Sequence, residues 1–208
     1  MESKVLKNAC KYINKLLLPL ENHYYHQYWH ALDVMERAKY LAKKEWLNKK
    51  EIEIVCLAWL FHDTGFIIQY DKNEPIWAKI AKNYLKSVLY DENDIKKVEE
   101  IILATDPEYK NPKNIMEKII KDADLDNLWT DNFFKKWNNL KKELEAIKKI
   151  KILNPDWYHS SLDLLYEHKF FTKTQSKERN EKKEENTKKL EKLIEKWIKK
   201  KKIKLLIG

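Results

Sequence analysis

The most informative stretch of this sequence is residues 54–65, which read IVCLAWLFHDTG. Its eight consecutive apolar residues predict a helix buried in a core, and the glycine predicts where that helix stops. His62 and Asp63 therefore end an element that faces the protein interior. Because burying a carboxylate without a partner is costly, we expect a cation beside this pair and favour metal ligation over a purely structural His–Asp pair.

Outside this stretch, apolar residues recur at three- and four-residue spacing almost throughout, and strand patterns are nearly absent. The predicted fold class is therefore all-α, a helical bundle. The chain has only two glycines, Gly65 and Gly208, which excludes the Gly-rich phosphate loops of P-loop and dinucleotide-binding folds. Helices are predicted over residues 3–18, 23–46, 49–63, 74–89, 92–104, 112–128, 131–151, 155–169 and 173–200.

Several of these helix starts are marked by an asparagine cap followed by proline in the first turn. Asn73, Asn111 and Asn154 show this pattern. The last helix, about residues 172–200, is rich in lysine and glutamate and has an apolar stripe only in its second half. We therefore predict that its first half is a solvated face.

A chain of 208 residues, 43% of them hydrophobic, is long enough to bury a core without disulfides. One domain spanning residues 1–208 is predicted, with its core at about 20–170. Cys10 and Cys56 lie far apart in sequence, which favours a reducing compartment. Neither a signal peptide nor a membrane span is predicted, so the expected location is the cytoplasm.

The formal net charge of +9 comes almost entirely from lysine, since Arg37 and Arg179 are the only arginines. Bidentate recognition of phosphate or guanine is therefore scarcely available. We interpret the charge as a solvated surface and expect no nucleic-acid partner. RNA binding through the basic C-terminal run, residues 199–202, is the weaker alternative.

Two further segments carry metal-binding residue types. His23, His26 and His30 recur at intervals of three and four, so a helix would place them on one face; alone, this pattern is more typical of a polar, aromatic helix face. Residues 119–128, IIKDADLDNL, bring carboxylates into an amphipathic helix. Two imidazoles and two carboxylates converging inside a bundle would suit a first-row divalent ion or magnesium.

The order His30, then His62 with Asp63, then Asp124 resembles the H…HD…D signature of the HD superfamily. Members of this superfamily are helical, metal-dependent and mostly phosphohydrolases. The sequence is most similar to a bacterial branch of predicted HD phosphohydrolases, over about residues 20–190. The matching segments are YHQYWH at 25–30, Asn73-Glu74 with Ala78, ILAT at 102–105, DADL at 122–125, and residues 170–186.

The resemblance implies that His30, His62, Asp63 and Asp124 bind one divalent metal ion, whether Mn, Mg, Fe, Co, Ni or Zn. Alignment to the family favours Asp124 over Asp122, which would instead hydrogen-bond a ligand. No histidine lies between Asp63 and Asp124. Dinuclear HD oxygenases and HD cyclic-nucleotide phosphodiesterases place extra histidines in that interval, so a one-metal site is expected.

The implied function is hydrolysis of a phosphoester by a metal-activated water. Besides Asp63, the candidate catalytic residues are Glu74, to orient or deprotonate the water, and His26, to protonate a leaving oxygen or support the site. Glu74 has an alternative role as a first-turn glutamate that stabilises its own helix.

The expected partner is a small phosphorylated substrate, with a nucleotide favoured; the oligomeric state is left open. An aromatic cluster is the candidate for stacking a base, although core packing also explains such spacing. It comprises Tyr24, Tyr25, Tyr28, Trp29 and Trp77. The rival functions are a non-catalytic HD-fold nucleotide- or RNA-binding regulatory module and a diiron HD oxygenase.

Overall fold

The computed structural model describes residues 3–17 and 23–207. Within these ranges the chain forms helices and turns and no strand, which confirms the predicted all-α fold. The helices are α1 (Lys4–Leu17), α2 (Tyr28–Lys44), α3 (Lys49–Phe61), α4 (Glu74–Ser87), α5 (Glu92–Leu103), α6 (Ile115–Asp124), α7 (Phe133–Lys148), α8 (Asn154–Glu167) and α9 (Lys173–Ile207). Two 3₁₀ turns, Thr64–Ile67 and Asp126–Trp129, follow α3 and α6.

Helix α3 is the centre of the larger core. Every residue from 54 to 61 is at most 1% exposed, because α3 packs against α1, α2, α4, α5 and α6. A continuous apolar run suits a helix that is surrounded on all sides. The chain direction then places His62 and Asp63 at the end of this buried helix.

A second apolar cluster forms between α7, α8, α9 and the turn Asp126–Trp129, around Trp129, Phe133 and Leu190. Polar contacts tie α9 to the larger core. Asp126 accepts hydrogen bonds from Arg179 Nε at 2.7 Å and from Gln175 at 2.9 Å, and Arg37 Nε of α2 lies 3.0 Å from the same carboxylate. The prediction of a solvated first half of α9 is therefore wrong for the face that contacts Asp126, because Gln175 is fully buried.

The second helix begins at Tyr28, not at residue 23 as predicted. The preceding segment does not continue the helix, because the Gln27 backbone is extended, with φ −121° and ψ 169°. The backbone N–H groups of Tyr25 and His26 instead donate to the Glu143 side chain of α7. His23 and His26 therefore lie outside α2, and the predicted histidine-bearing helix face does not exist.

Other helix ends also differ from prediction. Helix α6 begins at Ile115, since the Asn114 side chain caps it by accepting from Glu117 N–H at 3.0 Å. The Asn73 side chain makes no cap bond and instead donates to Tyr70 O at 2.7 Å. Residue 18, the predicted end of the first helix, lies outside the described residues, and α9 continues to Ile207.

Gly65 allows a close approach of two elements. Its φ is not positive, so it is not the left-handed cap that its position suggested. A Cβ at this position would lie 2.0 Å from Cδ1 of Trp77 and 2.9 Å from the carbonyl oxygen of Asn73. The missing side chain thus lets the first 3₁₀ turn pack against the start of α4.

In the described part of the chain, no helix combines the length and apolar character needed to cross a membrane. The assignment of residues 1–208 to one domain stays a prediction.

Candidate metal centre

The end of α3 fixes the orientation of the His62 ring. Nδ1 of His62 lies 2.6 Å from the carbonyl oxygen of Trp59, one helical turn earlier. Because a carbonyl only accepts, Nδ1 carries the hydrogen and donates it. In a neutral ring, Nε2 therefore presents a lone pair, as a metal-ligating imidazole requires.

All four predicted ligands lie together. Nε2 of His62 is 3.1 Å from Oδ1 of Asp63 and 3.7 Å from Oδ1 of Asp124. Nε2 of His30 is 3.6 Å from Oδ2 of Asp63. One ligand atom each of His30, His62 and Asp124 lie within 4.8 Å of one another. Segments that are far apart in sequence thus meet at one point between α2, α3 and α6.

Three of the four predicted ligands are buried, and the fourth is partly exposed. The side chains of His30, His62 and Asp63 are at most 4% exposed, whereas that of Asp124 is 35% exposed. A small ligand can therefore reach the cluster beside Asp124. The remaining wall belongs to the core.

The chemistry of these atoms fits a divalent cation. Nε2 of His62 and Oδ2 of Asp63 are among the buried polar atoms of the described residues that have no hydrogen-bond partner. An ion bound by imidazole nitrogen and carboxylate oxygen would satisfy these orphaned acceptors. A mixed N/O set of this kind suits the first-row divalent metals and magnesium.

The electrostatics of the site agree with this fit. Burial raises the pKa of Asp63 to about 8 and that of Asp124 to about 6, and it lowers the pKa of His62 to about 3. Burial also holds the pKa of His30 well below its ordinary value. The protein interior thus disfavours the carboxylate charges, which a bound cation would stabilise.

The two aspartates of the Asp-x-Asp pair point in different directions. Asp122 is fully buried, and its carboxylate accepts hydrogen bonds from Phe171 N–H at 2.9 Å and from the N–H and hydroxyl of Thr172, each at 2.7 Å. It therefore ties α6 to the segment before α9. Asp124 is the member of the pair that faces the histidines.

His26 lies beside the cluster in the segment before α2. Its Nδ1 hydrogen-bonds to Oε1 of Glu143, which also accepts from the Tyr70 hydroxyl at 3.0 Å. Burial lowers the pKa of His26, but the bond to Glu143 and the Asp63 and Asp124 carboxylates outweigh burial and raise it overall. Burial raises the pKa of Glu143, and the bond from His26 reverses that effect, so its pKa is lowered.

Sequence reasoning missed Glu143 and Tyr70. Glu143 belongs to a lysine-rich stretch of α7 whose spacing gives no sign of burial, yet its side chain is 0% exposed. The local sequence contains no signal that could have revealed it. Only the long-range fold brings α7 to the segment before α2.

Glu74 is the first residue of α4 and is partly buried. Burial is the main cause of the raised pKa of Asp124, and the charge of Glu74 adds to it. Glu74 therefore lies in the electrostatic surroundings of the cluster. The close packing at Gly65 positions the start of α4 there.

The predicted aromatic cluster is divided by the fold. Tyr25 and Trp77 are 7% and 6% exposed, and Tyr28 packs against the larger core, so these three serve mainly in packing. Tyr24 and Trp29 instead line a surface cavity of about 510 Å³ together with Lys135 and Lys136.

Comparisons with known proteins agree with this architecture. Residues 28–126 match the family model described as HD domain. This match contains His30, His62, Asp63 and Asp124 but neither His26 nor Glu143. The curated proteins contain no match to the chain.

Solved structures show the same fold at low sequence identity. Bacillus subtilis YpgQ in complex with ADP is similar with a TM-score of 0.65 and 21% identity, covering 91% of this chain and 94% of that one. The Lin1889 protein from Listeria innocua is similar with a TM-score of 0.62 and 19% identity, covering 92% of this chain and 96% of that one.

Proposed function

We propose that this chain is an HD-domain, metal-dependent phosphohydrolase acting on a nucleotide, because residues 28–126 match the HD domain family model. The superfamily is one of metal-dependent phosphohydrolases. We further propose that His30, His62, Asp63 and Asp124 bind one divalent ion. The specific activity and the ligand set are the parts of this proposal that experiments must test.

One observation carries the proposal: Nε2 of His62 converges with the carboxylates of Asp63 and Asp124 and is buried without a hydrogen-bond partner. Nε2 of His62 lies 3.1 Å and 3.7 Å from the carboxylate oxygens of Asp63 and Asp124. A structural His–Asp pair would use one carboxylate and bind it by an N–H, but the His62 hydrogen is directed to Trp59 O. The arrangement is therefore poor as a structural pair and suitable as a ligand set.

When bound, a divalent ion would lower the pKa of its water from about 15.7 toward 7 and would polarise a phosphoryl oxygen. The chain's own residues supply the other requirements. Glu74 is the candidate to accept a proton from the attacking water, and His26 is the candidate to exchange a proton with the leaving oxygen. The buried histidines exclude water from the core side of the site.

The nucleotide part of the proposal has two supports. The similar fold of Bacillus subtilis YpgQ has been determined in complex with ADP, although that likeness shows the fold alone. In this chain, Tyr24 and Trp29 offer aromatic surface in a cavity that also contains Lys135 and Lys136. Aromatic rings suit a base, and the charge of Lys135 suits phosphate, whereas Lys136 pairs with Asp33 at 2.9 Å.

The experiment is metal content per chain on freshly purified protein, paired with phosphate release from a nucleotide panel with added Mn, Mg, Fe, Co, Ni or Zn. Asp63→Ala should lose both metal and turnover. Asp163→Ala, on an exposed position of α8, is the matched control and should keep both. Wild-type protein with no metal and no turnover on the panel would instead favour a non-catalytic HD binding module, and two irons per chain would favour a diiron site.

A further inference from the structure

The strongest feature outside the HD-domain match is the contact between Glu143 and the His26 ring. Glu143 is a fully buried carboxylate on α7. Its Oε2 accepts the N–H groups of Tyr25 at 2.7 Å and His26 at 3.0 Å. Its Oε1 accepts from His26 Nδ1 and from the Tyr70 hydroxyl.

We propose that Glu143 is a positioning residue that fixes the ring orientation and tautomer of His26, so that Nε2 is the atom offered to the substrate. The role toward a substrate rests on the proposed phosphohydrolase function. The tautomer itself does not, because it follows from the hydrogen bonds alone.

The tautomer follows from the chemistry of the partners. An ionised carboxylate accepts hydrogen bonds and cannot donate, so the Nδ1 atom facing Glu143 must carry a hydrogen. A carboxylate has about four lone-pair positions, and the four donors around Glu143 use them. The charged form of Glu143 is thus fully satisfied in its buried position.

The ring is also held in place by its neighbours. The centroid of the Phe66 ring lies 4.2 Å from that of His26, and the Tyr25 ring packs edge-on at 4.8 Å. A half-turn of the imidazole would place a C–H group against Glu143 and lose the Nδ1 bond. Nδ1 is directed to a buried group, and the His26 side chain as a whole is 15% exposed.

A residue that only held the backbone of Tyr25 and His26 in place would not need to be a carboxylate. A glutamine could accept both backbone N–H groups through its single oxygen, but its NH₂ group would then face His26 Nδ1 and the Tyr70 hydroxyl. The neutral imidazole would reverse its tautomer to accept from that NH₂, moving the hydrogen to Nε2. The charge of Glu143 is therefore specifically matched to an Nδ1–H histidine, as in carboxylate–histidine pairs that orient a proton-transfer group.

In the proposed reaction, the water oxygen forms a bond to phosphorus as the bond from phosphorus to the leaving oxygen breaks. The water gives up one proton toward Glu74, and the leaving oxygen takes one proton from Nε2 of the doubly protonated His26 ring, which leaves the neutral ring with its hydrogen on Nδ1. Solvent then restores the His26 proton and removes the Glu74 proton, so the sum is hydrolysis. Glu143 keeps the Nδ1 hydrogen throughout.

The test compares Glu143→Gln with Glu117→Gln as its control. Glu117 is another buried glutamate, 5% exposed, which also accepts from a tyrosine hydroxyl and a backbone N–H. Histidine ¹⁵N NMR of the magnesium-loaded protein reports the tautomer, and His26→Gln assigns the His26 signals. For the neutral His26 ring, we expect the hydrogen on Nδ1 in the wild type and on Nε2 in Glu143→Gln, with Glu117→Gln unchanged.

Kinetics provide the second readout. Glu143→Gln should lower kcat by about 100-fold or more, the scale of general acid–base catalysis. KM should change by less than about threefold, because the proton transfer from His26 matters only in the transition state. Adding His26→Gln to Glu143→Gln should cause no further loss, because Glu143 acts through His26.

Wild-type protein with the hydrogen on Nε2 would overturn the proposal without any variant, so it stays testable even if Glu143→Gln does not fold. An unchanged tautomer in folded Glu143→Gln would also overturn it. If the wild type shows the expected tautomer but hydrolyses no nucleotide, the proposed function fails and the positioning of His26 stands.

Discussion

Substituting each aspartate of the Asp-x-Asp pair should separate stability from metal binding. Asp122→Asn replaces one carboxylate oxygen by an NH₂ group that cannot accept. Depending on the amide orientation, the variant loses the bond from Phe171 or both bonds from Thr172. A hydrogen bond to a charged group contributes about 1.5–3 kcal/mol, and the remaining bonds weaken as the charge disappears.

We therefore expect Asp122→Asn to lower the free energy of unfolding by about 3 kcal/mol. For a chain of this size, each kcal/mol corresponds to about 2–4 °C in Tm, so Tm should fall by about 6–12 °C. Metal content should stay near that of the wild type, because Asp122 points away from the histidines.

Asp124→Asn should show the opposite pattern. In the described part of the chain, its carboxylate contacts His62 across 3.7 Å and accepts no hydrogen bond, so the chelated protein should melt near the wild-type temperature while metal retention is lost. Circular dichroism melts in chelator and metal analysis after manganese loading measure the two quantities. Loss of metal in Asp122→Asn with Tm unchanged would refute this assignment.

Three further substitutions test other parts of the structure. His62→Ala should abolish metal retention while far-ultraviolet circular dichroism shows the helices largely intact. Unchanged metal content would show that His62 is not a ligand. Burial lowers the pKa of His168 to about 4, against about 6.5 in the unfolded chain, so between these values the unfolded state binds more protons and stability falls as the pH falls. In chemical denaturation from pH 6.5 to 4, the wild type should therefore lose stability more steeply than His168→Gln, and equal slopes would contradict this assignment. Gly65→Ala places a Cβ 2.0 Å from the Trp77 ring and should cost about 1–3 kcal/mol, the usual range for overpacking; a thermal melt identical to that of the wild type would exclude the close contact.

The helices could be predicted because their apolar periodicity is local. Residues 54–61 indicated a buried helix, and the structure places that helix at the centre of the larger core. His62 and Asp63 could be predicted as a buried pair for the same reason, since they end that run. Family resemblance supplied the order of His30 and Asp124, which composition and spacing alone left open.

The failures share a physical cause, which is long-range hydrogen bonding. The segment before α2 has helical spacing, but its N–H groups donate to Glu143, more than 110 residues later. The first half of α9 has a solvated composition, but Gln175 and Arg179 bind Asp126 of the turn after α6. Polar side chains look alike in sequence whether their partner is water or a distant carboxylate.

The ion pairs of the two arginines bear directly on substrate recognition. Arg37 and Arg179, the only arginines in the chain, both pair with Asp126 and dock α9 against α2. Neither guanidinium is therefore available to bind a phosphate in the bidentate geometry that makes arginine selective. Under the proposed function, recognition of a phosphorylated substrate would therefore rest on the bound cation and on lysines, whose point charges tolerate many phosphate orientations.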